Sequence, residues 1–333
     1  MKATARKIKS IELSAPSRIH CGLLPSAGDH EQRRGGLGVM VDQPRYHLRA
    51  TPAQTFRVIG AFQDRIERYA QQYFLAHGIQ EIDWQIEVTG APPAHTGLGS
   101  GTQLALSTAS LLDAARGEED LLGSDTPVAF GRGGRSLVGS VGYLRGGLIW
   151  DPGDERNCNV EDSSQNPNVK IEYCELPQAW CWLLLREQSE RGLSGDDEND
   201  AFANMPSESL RRRSLINCAE QRLLPAAKRG DFNSFGSALY EFGMGCGEYF
   251  QSQQNGTFSS ERLGQIVGRL REAGVQGVGQ SSWGPTLYGL FETRKSTMAF
   301  IERQAWLCDD TLDWTVAATA RGGAQKTVLY FDE

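Results

Sequence analysis

Polar and apolar positions alternate from Ile8 to Pro16, where Ile11 and Leu13 stand between charged and hydroxyl side chains. That two-residue period belongs to a strand with one buried face. The period returns in Asp83-Trp84-Gln85-Ile86-Glu87-Val88, and apolar runs predict further strands at 35–41, 46–50, 146–150, 169–175, 180–185, 286–292, 313–318 and 326–331. Gln43-Pro44, between 35–41 and 46–50, predicts a hairpin turn. Helical spacing predicts helices over 61–77, 127–132, 206–229, 231–250 and 295–305. It is clearest over 104–115, where Leu104, Ala105, Thr108, Leu111, Leu112 and Ala115 share a face ahead of Gly117. It is also clear over 260–273, where Leu263, Ile266, Val267 and Leu270 share a face ahead of Gly274. Polar stretches at 152–168 and 190–200 read as exposed loops. The mixed order of strands and helices predicts an α+β fold in two domains, 1–165 and 166–333.

Between the strand at 83–88 and the helix at 104–115 lies His95-Thr96-Gly97-Leu98-Gly99-Ser100-Gly101-Thr102-Gln103. Three glycines in five residues permit a tight turn with no side chain in the way. The turn leaves the first N–H groups of a helix unpaired, with about half a positive charge from the macrodipole, which is an anion site suited to phosphate. A Gly-rich turn of this kind also serves as a turn alone. No Lys follows the last Gly, so it is not a Walker A loop, and its G-x-G-x-G spacing is not the dinucleotide fingerprint. A second loop of small residues runs from Gly277 to Thr286 and contains Ser281, Ser282 and Gly284. Two such loops suggest a ligand clamped between domains. A third glycine segment, Gly131 to Ser136, carries Arg132 and Arg135, whose planar forks match phosphate oxygens.

The chain has 333 residues and a formal net charge of −7. That size favours two domains over one core. The acidic balance provides no field to gather nucleic acid, so any phosphate site must concentrate arginines locally. Seven cysteines are scattered without a C-x-x-C pair, and five histidines all precede residue 96 without metal-ligand spacing. This usage points to free thiols in a reducing cytoplasm. No stretch reaches the length of a membrane span.

In this order, Ala15-Pro16-Ser17-Arg18, Gly97-Leu98-Gly99-Ser100-Gly101 and Gly277 to Gly284 resemble the three motifs of the GHMP kinase superfamily. The resemblance implies a ribosomal protein S5 domain 2-like N-terminal domain and a ferredoxin-like C-terminal domain. The kinases carry a Lys where Arg18 stands, and alignment on Gly146-Gly147 puts Gly139 where their catalytic Asp belongs. The segments Ser17 to Leu23, Gly35 to Gly38, His95 to Ala105, Gly131 to Gly134 and Ser281 to Thr286 resemble more closely the β-ribofuranosylaminobenzene 5′-phosphate synthase family of methanopterin biosynthesis. Gly-Ser-Gly-Thr-Gln in place of the kinases' Gly-Ser-Ser-Ala is the discriminating detail.

That resemblance implies phosphoribosyl transfer from 5-phosphoribosyl 1-pyrophosphate (PRPP) to 4-aminobenzoate or 4-hydroxybenzoate, with release of CO₂ and pyrophosphate. No alcohol is deprotonated, so Gly139 in place of an Asp is no obstacle. The catalytic candidates are Arg18, His20 and His95, with Arg18 on the aryl carboxylate or a phosphate and a histidine hydrogen-bonding substrate. Phosphate is expected at Gly97, Leu98, Gly99, Ser100, Gly101 and Thr102, and at Arg34, Arg132 and Arg135. Ser281, Ser282 and Gly284 would close on it from the second loop, with Trp283 against the aromatic ring. Mg²⁺ is the expected cofactor, with Asp151 as its candidate ligand and a strand-end turn as that residue's plainer role. A homodimer is expected, with no nucleic-acid or membrane partner. The competing expectations are an ATP-dependent small-molecule kinase and a non-catalytic phosphoribosyl- or nucleotide-binding protein.

Overall fold

The computed structural model describes residues 7–26, 33–80, 82–118, 134–153, 171–192, 200–202, 205–254 and 256–331. Eleven strands among them form two sheets. The first is built on a long antiparallel pair, β1 (Ile8–Leu23) and β2 (Gly36–Pro52). β4 (Trp84–Gly90) pairs antiparallel with His47–Pro52 of β2, and β3 (Arg57–Gly60) pairs parallel with β4 at the sheet's edge. β5 (Leu148–Asp151) and β6 (Glu172–Cys174) extend it along Gly36–Val39, and β11 (Gln325–Tyr330) returns from the far end of the sequence to pair with β1. The second sheet, in the order β10-β7-β9-β8, comprises β7 (Cys181–Glu187), β8 (Val278–Gln280), β9 (Thr286–Phe291) and β10 (Leu312–Ala318).

The expected hairpin at Gln43-Pro44 is absent. Pro16 pairs with Arg45 and Ser17 with Val41, so 42–44 bulge out of a strand that continues through them. The bulge has a use: Asp42 accepts the Ala318 N–H at 2.7 Å, which ties β10 of the second sheet to the first.

Helices α1 (Gln63–His77) and α2 (Ser100–Ala115) cover one face of the first sheet, and Ile66, Tyr73, Leu104 and Leu111 pack there against Ile11, Leu13 and Leu48. α3 (Val138–Arg145), which sequence periodicity did not disclose, lies under β2, with Gly142 against Met40. α4 (Ser209–Cys218), a π-helical turn (Ala219–Leu223) and α5 (Leu224–Arg229) run on into α6 (Phe232–Gln254). These pack Leu223, Phe235 and Phe242 against Trp150, Trp182 and Tyr288 to make the core between the sheets. α7 (Glu261–Glu272) and α8 (Arg294–Arg303) cover the second sheet. The expected helix at 127–132 lies outside the described residues. Among the described residues no helix is long and apolar enough to cross a membrane.

Buried Arg212 on α4 donates to the carbonyls of Pro25, Arg34 and Pro152 at 3.0, 2.7 and 2.6 Å. It therefore joins the ends of β1, β2 and β5. Arg212→Met leaves three carbonyls without their charged donor and is expected to lower unfolding free energy by about 3 kcal/mol in a denaturant titration.

Candidate functional site

A cavity of about 800 Å³ lies between the N-terminus of α2, one face of β1, α1, α6 and the second glycine loop. Its first end is the glycine loop. Gly97 and Gly99 take φ of +77° and +80°, which only glycine adopts without strain. A Cβ on Gly97 would collide with the Ser281 carbonyl, and one on Gly99 would lie 3.1 Å from Arg18 Cβ. The loop can therefore press its backbone onto both neighbours. α2 begins with no side-chain cap and no acidic residue in its first turn. Its first helical hydrogen bond runs from Gln103 N–H to Gly99 O, so the N–H groups of Ser100, Gly101 and Thr102 have no intrahelical acceptor where they line the cavity.

Ser281 locks this end together. Its fully buried hydroxyl donates to Gly97 O at 2.8 Å and accepts the His20 N–H at 3.0 Å. Ser282 N–H then donates to His20 O at 2.9 Å, and Arg18 N–H to Leu98 O at 3.1 Å. β1, the first glycine loop and the second glycine loop thus share one hydrogen-bonded knot.

Among the described residues four arginines line the cavity: Arg18, Arg65, Arg68 and Arg135. Arg65 also donates to the Ser100 hydroxyl at 3.2 Å. No Asp or Glu is among the described lining residues. His20 and His95 line the same space. Burial, with the charge on Arg18 added, holds the His20 imidazole well below its ordinary value, and burial with Arg65 and Arg191 lowers His95. Both rings are therefore neutral at pH 7. Gly139 on α3 faces the same loop: a Cβ there would lie 3.3 Å from Thr102 Cγ2 and 3.5 Å from an Arg18 guanidinium nitrogen. Glycine at position 139 therefore leaves the space beside Arg18 without a side chain.

The second end is aromatic. Phe202, Phe250 and Trp283 meet edge to face with ring centroids 5.1 to 5.7 Å apart. Arg135 lies 4.2 Å over the Phe202 ring.

Of the residues expected from sequence, Arg18, His20, His95, Gly97 and Gly99 line the cavity, as do Ser100, Gly101 and Thr102. Arg135, Ser282, Trp283 and Gly284 line it as well. Leu98 and Ser281 do not. The Leu98 side chain packs in the core, and the Ser281 hydroxyl is spent on the knot. Arg34 is a correction: it is buried, donates to Tyr249 Oη and Phe202 O at 3.2 Å each, and is part of the wall's support. Asp151 is another. Its buried carboxylate pairs with Arg33 and accepts the N–H groups of Leu137 at 2.7 Å and Gly153 at 3.0 Å, away from the cavity. It anchors a strand end, the plainer role expected of it, and is not among the residues that line the cavity. Among the described residues no group of three or more His, Cys, Asp or Glu could hold a metal ion. Arg132 lies outside the described residues.

Sequence reasoning missed Arg65, Arg68 and Gln72, three lining residues on one face of α1. It also missed Cys246 and Phe250 on α6. A helix stripe of two arginines and a glutamine looks like a solvated face. Its signal was the absence of acidic residues at the start of α2, the element it faces.

Residues 223–303 match the family model described as GHMP kinases C terminal. The chain is 27% identical over 305 residues to β-ribofuranosylphenol 5′-phosphate synthase of Methanothermobacter thermautotrophicus, covering 86% of this chain and 90% of that protein. It is 27% identical over 299 residues to the protein of the same name from Archaeoglobus fulgidus, covering 85% and 88%. In three dimensions it resembles homoserine kinase from Cytophaga hutchinsonii, with a TM-score of 0.66 at 13% identity over 98% of this chain and 100% of that one. It also resembles mevalonate diphosphate decarboxylase from Staphylococcus aureus, with a TM-score of 0.60 at 15% identity over 96% and 98%.

Gly139→Asp sets a carboxylate against Arg18 and is expected to weaken inorganic pyrophosphate binding at least about tenfold in calorimetry, whereas Gly139→Ala changes it by less than about threefold. The neutral His20 gives a second expectation. Its folded-state value lies below the ordinary 6.5, so the unfolded chain takes up the proton first as pH falls. The stabilisation is complete above the unfolded value of 6.5 and is lost progressively as pH falls from there toward the lower folded value. Denaturation midpoints should fall between pH 7 and 5, with a shallower slope in His20→Gln.

Proposed function

We infer that this chain, which has the GHMP-kinase-like fold with mixed α+β sheets, is a phosphoribosyl-transferring synthase of methanopterin biosynthesis. It joins the ribose C1 of PRPP to the carboxyl-bearing ring carbon of an aromatic acid, and CO₂ and pyrophosphate leave. The relatives' printed name makes the product a phenol, which puts 4-hydroxybenzoate first and 4-aminobenzoate second as acceptor. The observation that carries the reading is one cavity with a cationic, carboxylate-free end and an aromatic end. A phosphorylated, diphosphate-bearing donor fits the first and a benzoate fits the second.

The bond from ribose C1 to the pyrophosphate oxygen breaks, and its electron pair leaves with the diphosphate. Positive charge grows at C1 and negative charge on the leaving group. Arg18, Arg65, Arg68 and the open N–H groups of α2 are already in place to meet that negative charge, so little reorganisation accompanies the step. The ring carbon forms the new bond to C1. The bond to the carboxylate carbon then breaks, its pair restores the aromatic ring, and the carbon departs as CO₂. The neutral His20 accepts or donates a hydrogen bond without adding charge near C1. No proton has to be taken from a nucleophile, in keeping with glycine at position 139.

In this reading charge compensation rests on arginines and a helix terminus. The described lining contains no carboxylate to fit a protein-held Mg²⁺, so a metal accompanying the donor would take its oxygens from the diphosphate itself. The kinase alternative draws on the fold alone. It needs a carboxylate beside the attacking alcohol, and the described cavity has none.

Protein incubated with PRPP, Mg²⁺ and carboxyl-¹⁴C 4-hydroxybenzoate or 4-aminobenzoate is expected to release labelled CO₂ only when PRPP is present. The faster acid names the acceptor. Release from neither acid, with ATP consumed in the presence of an alcohol substrate, would establish the kinase instead.

A further inference from the structure

Ipso attack with loss of CO₂ makes a demand that the anion end cannot meet. An arginine on the departing carboxylate would stabilise the bound acid more than the transition state, where that charge drains into the ring. The carboxylate therefore belongs in an uncharged, dry part of the cavity close to ribose C1, and the ring belongs against an apolar wall.

β1 changes character along one face in the right sequence. Arg18 lies on the glycine loop, His20 follows two residues on, and Gly22 two beyond that. A Cβ at Gly22 would lie 2.5 Å from Cys246 Sγ and 2.9 Å from both Cys246 Cβ and Phe242 Cε1, so strand and α6 touch there through an uncharged thiol and an aromatic edge. On α6, Gly243, Cys246, Gly247 and Phe250 recur at helical spacing along the stripe that lines the cavity. Cys21 and Cys246 are buried, and burial pushes the Cys21 thiol up to about 12 and Cys246 well above the usual thiol range. Both stay protonated, and the floor carries no charge. One helical turn beyond Cys246, Phe250 meets Trp283 with ring centroids 5.1 Å apart, and the two rings are 8% and 6% exposed.

We propose that this part of the cavity is the acceptor subsite: the aromatic acid lies with its ring along Phe250 and Trp283 and its carboxylate on the floor formed by Cys21, Gly22, Cys246 and Gly247. The assignment rests on the phosphoribosyl-transfer reading. Its mechanistic content is that the site binds the acid through its ring and leaves its carboxylate desolvated. The bond between ring and carboxylate carbon then breaks with its electron pair passing to the ring, and no oxidant or further proton is required.

Two variants separate the ring from the carboxylate. With 4-hydroxybenzoate, Phe250→Leu is expected to raise the KM of the acid about tenfold or more and leave that of PRPP within about twofold. Cys246→Ser is nearly isosteric but gives the carboxylate a hydroxyl donor. Its kcat is expected to fall about tenfold with the KM of the acid unchanged or lower, and the carboxyl ¹³C isotope effect should rise as CO₂ loss becomes rate-limiting. An unchanged KM for the acid in Phe250→Leu overturns the ring assignment. Unchanged kcat in Cys246→Ser overturns the carboxylate assignment. Calorimetry with inorganic pyrophosphate reports whether each variant keeps a folded anion end. If one does not, NOEs between the Trp283 indole and bound 4-hydroxybenzoate in the unmodified protein decide the ring's place, and their absence counts against it. Failure of the underlying reading looks different: unmodified protein would then release no CO₂ at any concentration of PRPP and acid.

Discussion

The buried Ser281 hydroxyl holds together three segments that are far apart in sequence. It takes the His20 N–H and gives its own proton to Gly97 O, a residue whose left-handed backbone leaves no room for a side chain. Each hydrogen bond is worth about 1 kcal/mol net, but leaving any of these buried groups unpaired costs more than that. The knot therefore fixes relative position more than it adds stability. Arg18, His20 and the start of α2 keep their mutual geometry because β1, the first glycine loop and the second are tied at one oxygen.

With that geometry set, the electrostatics of the cavity follow. A chain of net charge −7 places four arginines around one cavity and no carboxylate among the described lining residues. Two such charges about 8 Å apart repel by about 2 kcal/mol at an effective dielectric near 20. A polyanion relieves that repulsion on entry, so part of the cost of assembling the site returns as affinity. The neutral histidines belong to the same balance, since burial first, and the charges on Arg18 and Arg65 after it, keep further positive charge off them.

What the sequence disclosed follows the reach of local rules. The strand at Trp84, the turn at Gly97–Gly99 and α2 are decided by residues within a few positions of each other, and all appear where expected. Arg18 and His20 sit on one face because a strand alternates. The misses depend on partners far along the chain. Asp151, a metal candidate with a strand-end turn as its plainer role, takes that plainer role because Arg33 pairs with it, and Arg34, a phosphate candidate, bonds to Tyr249 and Phe202. Gln43-Pro44 looked like a turn, because nothing local says that β1 shifts register at Pro16/Ser17 to match the bulge. The stripes on α1 and α6 followed helical spacing well enough, but spacing cannot say whether a face meets solvent, core or ligand.

The return of β11 to β1 bears on how the molecule is made. Ile8–Ser14 acquire their outer neighbour only from 325–330, and His20 acquires its serine from 281, a separation of 261 residues. Contacts this distant carry a large loop-closure cost and form late. During synthesis β1 is an open sheet edge for most of translation, in the class of surface that other chains pair with. β1, whose Arg18 and His20 line the cavity, is thus made long before the strand and the serine that seal it, which makes it a natural client for a chaperone.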